Sequence, residues 1–139
     1  MILLDTNVVS QTMRPDGDRR VQAWLNARAI QDFFICAPVL AELRYGALAV
    51  PKGKKQDFLI SVCERIECET FAGRVLPFDA LAAHRFAELR AQKRLQGKVA
   101  PIMDAMIAAI ALAHAMTLAT RNVKDFEGLG VPLVDPFAA

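Results

Sequence analysis

The sequence predicts an α/β protein: a mostly parallel sheet with helices on both faces. Three observations predict it. Short apolar runs, too brief for helices, alternate along the chain with longer segments whose apolar residues recur at helical spacing. The runs carry few polar residues, which suits strands covered on both sides. One segment, from Ile102 to Ala115, is apolar almost all round and therefore belongs at the centre of the domain.

Taken in order, residues 2–5 read as a short buried strand that ends on Asp5-Thr6-Asn7, and Arg14-Pro15-Asp16-Gly17 as a turn. A helix follows from Asp18, with Val21, Trp24, Leu25 and Arg28 on one face and the Arg stem along it. Phe33-Phe34-Ile35-Cys36 is the second strand. Pro38 suits the first position of a helix running to about Val50, with Leu40, Leu43 and Ala47 inward and Gly46 placed for a close contact. Pro51 and Gly53 end it. Phe58, Leu59, Val62, Cys63 and Ile66 mark the next amphipathic helix, and Val75-Leu76 is a weak third strand. A helix from about Asp79 turns Ala82, Phe86 and Leu89 inward and stops near Gly97; Pro101 opens the apolar helix. Leu118-Ala119-Thr120 and Val131-Pro132-Leu133-Val134 are the last strands, with Gly128 and Gly130 in the turn between them.

The chain of 139 residues, 54% hydrophobic and 23% charged, has room for one core and reads as a single domain over residues 1–139. No apolar run spans a bilayer and the first residues lack a signal-peptide pattern, so a cytoplasmic protein with no membrane partner is expected. The three cysteines (Cys36, Cys63 and Cys68) form no CxxC pair and have no adjacent histidine, which argues against zinc. The net charge is only +2, so the chain does not advertise nucleic-acid binding as a whole. Its basic residues cluster locally, at Arg19-Arg20, at Lys52, Lys54 and Lys55, and from Arg85 to Lys98.

The chemistry lies in acids set among apolar neighbours. Asp5 ends the first strand, Glu42 falls in the second turn of the helix after the second strand, and Asp104 lies in the first turn of the apolar helix. Ligands of open α/β sheets gather beyond the strand C-termini, and helix starts that follow strands lie at that same edge. Each acid alone has an ordinary reading: Asp5 as a helix cap, Glu42 as an exposed residue or a partner for Arg44, and Asp104 as a helix-start acid. Three together, in apolar frames, point to one shared cation. Oxygen donors without His or Cys suit Mg²⁺, with Mn²⁺ as substitute, and hence hydrolysis of a phosphodiester by activated water. Past the fourth strand, Asn122 offers a carbonyl oxygen and an amide for a metal-bound water or a phosphate. Asp125 is a second candidate for such a fourth group beside the three acids, although it reads first as a turn cap, and Thr6, Asn7 and Thr120 read as residues that orient carboxylates. His84 and His114 have no partner nearby in sequence and read as packing or surface residues.

Four stretches together resemble the PIN-domain ribonucleases, in particular the VapC/FitB-type toxins of type II toxin–antitoxin pairs. They are Ile2-Leu3-Leu4-Asp5-Thr6-Asn7, Ala41-Glu42-Leu43-Arg44-Tyr45-Gly46, Asp104-Ala105-Met106-Ile107-Ala108-Ala109, and Ala119-Thr120-Arg121-Asn122-Val123-Lys124-Asp125-Phe126. The resemblance implies a three-layer α/β/α sandwich with about five strands, Mg²⁺-dependent endoribonuclease activity, a homodimer with scope for larger toxin–antitoxin assemblies, and a cognate antitoxin protein as partner. It places metal ligands on Asp5 and Asp104, with Glu42 in the same acidic cluster, and makes Asn122 the fourth member of the catalytic set. Asn122 departs from an acidic pattern, which points to one metal in the resting state instead of two. The competing class is a catalytically weak or inactive PIN-fold module that binds nucleic acid or a partner protein. An aspartyl phosphatase is disfavoured because its second Asp would fall on Asn7. Arg14, Arg20, Lys52 and Arg85 are candidate guides for an RNA substrate.

Overall fold

The computed structural model describes residues 1–138. Five strands form one sheet in the order β3-β2-β1-β4-β5, and every pairing is parallel. β1 (Ile2–Leu4) is the central strand, flanked by β2 (Phe33–Cys36) and β4 (Thr117–Ala119). β3 (Val75–Leu76) and β5 (Leu133–Val134) are two-residue edges. Leu3 lies opposite Phe34 on one side and Leu118 on the other.

The chain steps from β1 to β2 to β3 in one direction, then crosses back to β4 and β5. Right-handed crossovers in opposing directions place helices on both faces of the sheet. The reversal falls between β1 and β4, which opens a crevice at their C-terminal ends.

Most sequence-predicted elements are present. α2 (Arg19–Asn26) is capped by Asp18, whose carboxylate accepts from the Arg20 backbone N–H. It buries Trp24 against Phe33, with ring centroids 5.5 Å apart, and the Arg28 guanidinium lies 4.3 Å from the Trp24 centroid. α3 (Ala37–Ala49) has Pro38 in its first turn, and α4 (Lys54–Arg65) continues into one wide turn to Thr70. α5 (Ala80–Leu95) is capped by Asp79, and α6 (Ile102–Ala113) is the apolar helix, with six consecutive or near-consecutive residues from Ala105 to Ala111 fully enclosed.

Four details differ from expectation. α1 (Thr6–Thr12), which has no range in the sequence reading, starts directly after β1; Asp5 ends the strand and also caps the helix, as its ordinary reading had it. A one-turn α7 (Val123–Phe126) follows β4 and buries Phe126. The inward stripe of α3 is Val39, Leu43 and Ala47, leaving Leu40 half-buried. Gly46 faces open space, so it makes no close contact. The expected turn glycines do their work: Gly128 and Gly130 hold φ of +77° and +80°, a left-handed backbone that side chains disfavour. Arg44 turns away from Glu42 and bonds Glu64 and Glu67 at 2.9 and 2.6 Å, tying α3 to the end of α4.

Candidate active site

The three-residue link 114–116 returns the C-terminus of α6 to the start of β4, so the helix must run across the sheet and begin at the opposite edge. Twelve residues at about 1.5 Å each span that sheet. Asp104 in its first turn therefore faces the same edge as the C-termini of β1 and β2, where Asp5 and the start of α3 lie. Sequence alone predicts this convergence, and the electrostatics of the folded chain express it. Burial, and then the charges of Asp5, Asp125 and Glu42, in that order, raise the Asp104 carboxyl above its ordinary range.

Asp5 is the most enclosed acid, 5% exposed, and three donors fix its carboxylate. The Thr6 backbone N–H donates to Oδ1 at 2.8 Å, the Thr120 hydroxyl to Oδ2 at 2.7 Å, and the Asn7 amide to Oδ2 at 3.3 Å. Burial outweighs these bonds and raises its pKa, with Asp125 adding repulsion. The crevice between β1 and β4 is bridged at its mouth. The Thr120 hydroxyl also accepts from the Asn122 backbone N–H at 3.0 Å, and the Arg121 N–H donates to Asn7 Oδ1 at 3.1 Å. Below them, the Asp5 N–H donates to the Ala119 carbonyl at 2.9 Å. Glu42 Oε1 accepts from the Thr6 hydroxyl at 2.8 Å, which ties α3 to α1. Thr6, Asn7 and Thr120 thus orient carboxylates, as their positions suggested.

Asp125 lies inside α7 instead of capping a turn, and its charge reaches both Asp5 and Asp104. Asn122 is exposed and lines a cavity beside the acids together with Arg121, Lys124 and Asp135. Cys36 is enclosed beneath the site; burial first, and the charges of Asp5 and Glu42 after it, push its thiol up to about 12, so it is inert. His84 is exposed, and His114 sits past the far end of α6 from Asp104.

Among the described residues, Asp5, Glu42, Asp104 and Asp125 make no ion pair. The charge of such a group, one member of it buried, is relieved either by protonation or by a bound cation. Among the described residues no group of three or more His, Cys, Asp or Glu side chains is placed to hold a metal ion as they stand. Asp5 and Asp104 are hard oxygen donors, the chemistry that Mg²⁺ takes when it keeps several of its waters.

Comparison with known proteins places this geometry. The PIN domain family model matches residues 2–130. The chain belongs to the PIN-domain family. It is similar to VapC ribonuclease Y4jK of Sinorhizobium fredii, 41% identical over 137 residues that cover 99% of this chain and 98% of that protein. Toxin FitB of Neisseria gonorrhoeae is 39% identical over 137 residues, covering 99% of each. The crystal structure of FitAcB from Neisseria gonorrhoeae matches over the full length of both chains with a TM-score of 0.93 and 39% identity.

Within this PIN domain, sequence reasoning put the turn-cap reading of Asp125 first, although its charge reaches both Asp5 and Asp104. For Asp125 the signal was its distance from Asn122, one helical turn on, which puts it back over the strand end. Thr120, which the sequence reading named as a residue that orients a carboxylate, closes an apolar strand, and its side chain is wholly enclosed.

Proposed function

We propose that this PIN domain is the toxin of a toxin–antitoxin pair and a Mg²⁺-dependent endoribonuclease that hydrolyses RNA phosphodiester bonds. The observation that carries this is the set of carboxylates, Asp5, Glu42, Asp104 and Asp125, gathered without a countercation at the reversal point of the sheet. Asp5 and Asp104 would hold the ion, with Glu42 completing the acidic wall. When bound, Mg²⁺ supplies a polarised phosphoryl oxygen and a more acidic water. Thr120, Asn7 and the Thr6 N–H favour the ionised form of Asp5 against its burial and aim it, and the Thr6 hydroxyl holds one Glu42 oxygen. The remaining carboxylate oxygens can take the proton that the attacking water sheds. Similarity to a VapC ribonuclease and to Toxin FitB supports the activity and the toxin role.

A cognate antitoxin has a suitable surface on this chain. A cavity of about 490 Å³, walled by Leu4, Val9, Met13, Leu25, Phe58 and Phe71 among others, lies between β1, the first two helices and α4. It would accept the apolar face of a partner segment. Exposed Tyr45 and Leu48 on α3, with Leu95, Val99 and Ile102 around the start of α6, offer apolar surface for a homodimer. No helix among the described residues is long and apolar enough to cross a membrane.

Purified, antitoxin-free protein incubated with an RNA pool tests the reading. Discrete fragments with Mg²⁺ or Mn²⁺, none with EDTA and none from Asp5→Asn are expected. Folded protein that leaves every RNA intact with either ion overturns the ribonuclease assignment and favours a binding module.

A further inference from the structure

Beside the acidic cluster lies a second feature, which the four carboxylates leave unexplained. A cavity of about 410 Å³ is lined by Arg121, Asn122, Val123, Lys124, Asp125 and Asp135. It shares Asp125 with the acidic wall, so the two are contiguous. Among the described residues neither Arg121 nor Lys124 forms an ion pair, although Asp125 and Asp135 line the same cavity. The two acids have other relationships. Asp125 repels Asp5 and Asp104, and Asp135 Oδ1 accepts the Phe137 N–H at 2.9 Å.

Arg121 and the Asn122 backbone are also held in place. Arg121 is anchored through its backbone N–H to Asn7, and its guanidinium lies 4.9 Å from the ring centroid of the buried Phe137. A stacked guanidinium loses little further freedom when it binds an anion, and its planar fork matches phosphate. The Asn122 backbone N–H is bound to Thr120, and its side chain is exposed at the cavity. Its amide is therefore free to donate, while the exposed Lys124 adds a mobile point charge.

We propose that Arg121, Asn122 and Lys124 form a grip for a backbone phosphate of the RNA strand adjacent to the bond being cut. This rests on the ribonuclease reading of the neighbouring acids. It gives Asn122 a role as a hydrogen-bond donor to phosphate, where an acid in its place would be a metal ligand. The grip contacts the sugar–phosphate backbone and not base edges, so it positions the strand and leaves sequence choice to other surfaces. The three are positioning residues. They set where the scissile phosphate meets Asp5 and Asp104.

Binding and turnover separate this role from a structural one. A labelled single-stranded RNA oligonucleotide is titrated into Asp5→Asn protein, alone and combined with Arg121→Ala, Lys124→Ala or both, across a range of salt. Each lost phosphate contact lowers the slope of log affinity against log salt by about 0.7 on a single strand. The double variant is expected to bind at least tenfold more weakly and to show the smaller slope. In the otherwise wild-type chain it should raise KM more than it lowers kcat. Arg121→Lys should recover part of the affinity, and Asn122→Asp should weaken binding by adding a charge that repels phosphate. Lys54→Ala/Lys55→Ala, which removes equal charge at the start of α4, serves as the remote control. Unchanged slope and KM in a double variant of wild-type thermal stability, with wild-type cleavage intact, overturns the grip alone. So does an equal loss in the remote control. Failure of the wild-type chain to cleave any RNA overturns the ribonuclease reading and the grip with it.

Discussion

Thr120→Val removes one hydroxyl from the centre of the site and leaves the shape of the side chain unchanged. That hydroxyl is wholly enclosed, donates to Asp5 Oδ2 at 2.7 Å and accepts from the Asn122 N–H at 3.0 Å. Hydrogen bonds to charged groups contribute about 1.5–3 kcal/mol, and the stranded carboxylate cannot recover the loss from water in its enclosed position. For a domain of this size, roughly 3–4 °C of melting temperature per kcal/mol gives an expected drop of about 5–12 °C at neutral pH. The deficit should also depend on pH in a set direction. Burial already lifts Asp5 above its ordinary 3.8, and the Thr120 hydroxyl opposes that lift by favouring the ionised form. Removing it raises the folded-state pKa further while the unfolded value stays put. Below the wild-type folded pKa both proteins carry neutral Asp5 and differ least. The gap widens as pH rises through that value and is complete above the variant's own, still higher, pKa. Thermal unfolding in EDTA from pH 3 to pH 8 measures it. A variant as stable as wild type at pH 7, or a deficit that does not change with pH, would refute the claim that Thr120 sustains the charge on Asp5.

Asp104→Asn tests the crowding of charge. The raised pKa of Asp104 means that its ionisation opposes folding, by an amount that grows as pH rises above 3.8 and is complete above its folded pKa. In EDTA at pH 7 the variant should therefore melt higher than wild type, and the two should converge near pH 3; added Mg²⁺ should stabilise wild type more than the variant. Gly17→Ala is expected to destabilise by about 1–3 kcal/mol, read as a lower urea midpoint, because a Cβ there would lie 2.1 Å from the Gln11 carbonyl oxygen. Of the three cysteines, only the exposed Cys68 should react with a disulfide reagent in the native protein. Cys36, enclosed and pushed up to about 12, should react only after unfolding, together with the buried Cys63.

The architecture was legible because its cues are local. Strand runs at 33–36 and 75–76 fall where they were read, and Pro38, Asp79 and Pro101 mark helix starts within a residue or so. The convergence of Asp5, Glu42 and Asp104 followed from one topological rule about strand ends. What escaped was set by tertiary context. α1 was hidden because Asp5 ends a strand and caps a helix with no intervening loop to announce it. α7 is a single turn, too short for any periodicity, and its Asp125 looked like an ordinary turn residue. Gly46 could pack closely against a neighbour or face solvent with the same local sequence, and only the assembled helices decide that it faces solvent. Likewise Arg44 is closer in sequence to Glu42 than to Glu64 and Glu67, yet α3 and α4 meet on its other side.

The bond between Thr120 and Asp5 joins residues 115 positions apart. It also sets a schedule. During synthesis the first acid of the site emerges almost at once, but the strand that must lie beside it arrives only when most of the chain has been made. Until β4 docks, Asp5 has neither the backbone partner at Ala119 nor the hydroxyl of Thr120, and Asp125 and the Arg121 cavity do not exist. A chain that stops before β4 therefore lacks the two bonds that hold Asp5 in place. The site is completed late in synthesis, when the fourth strand pairs with the first.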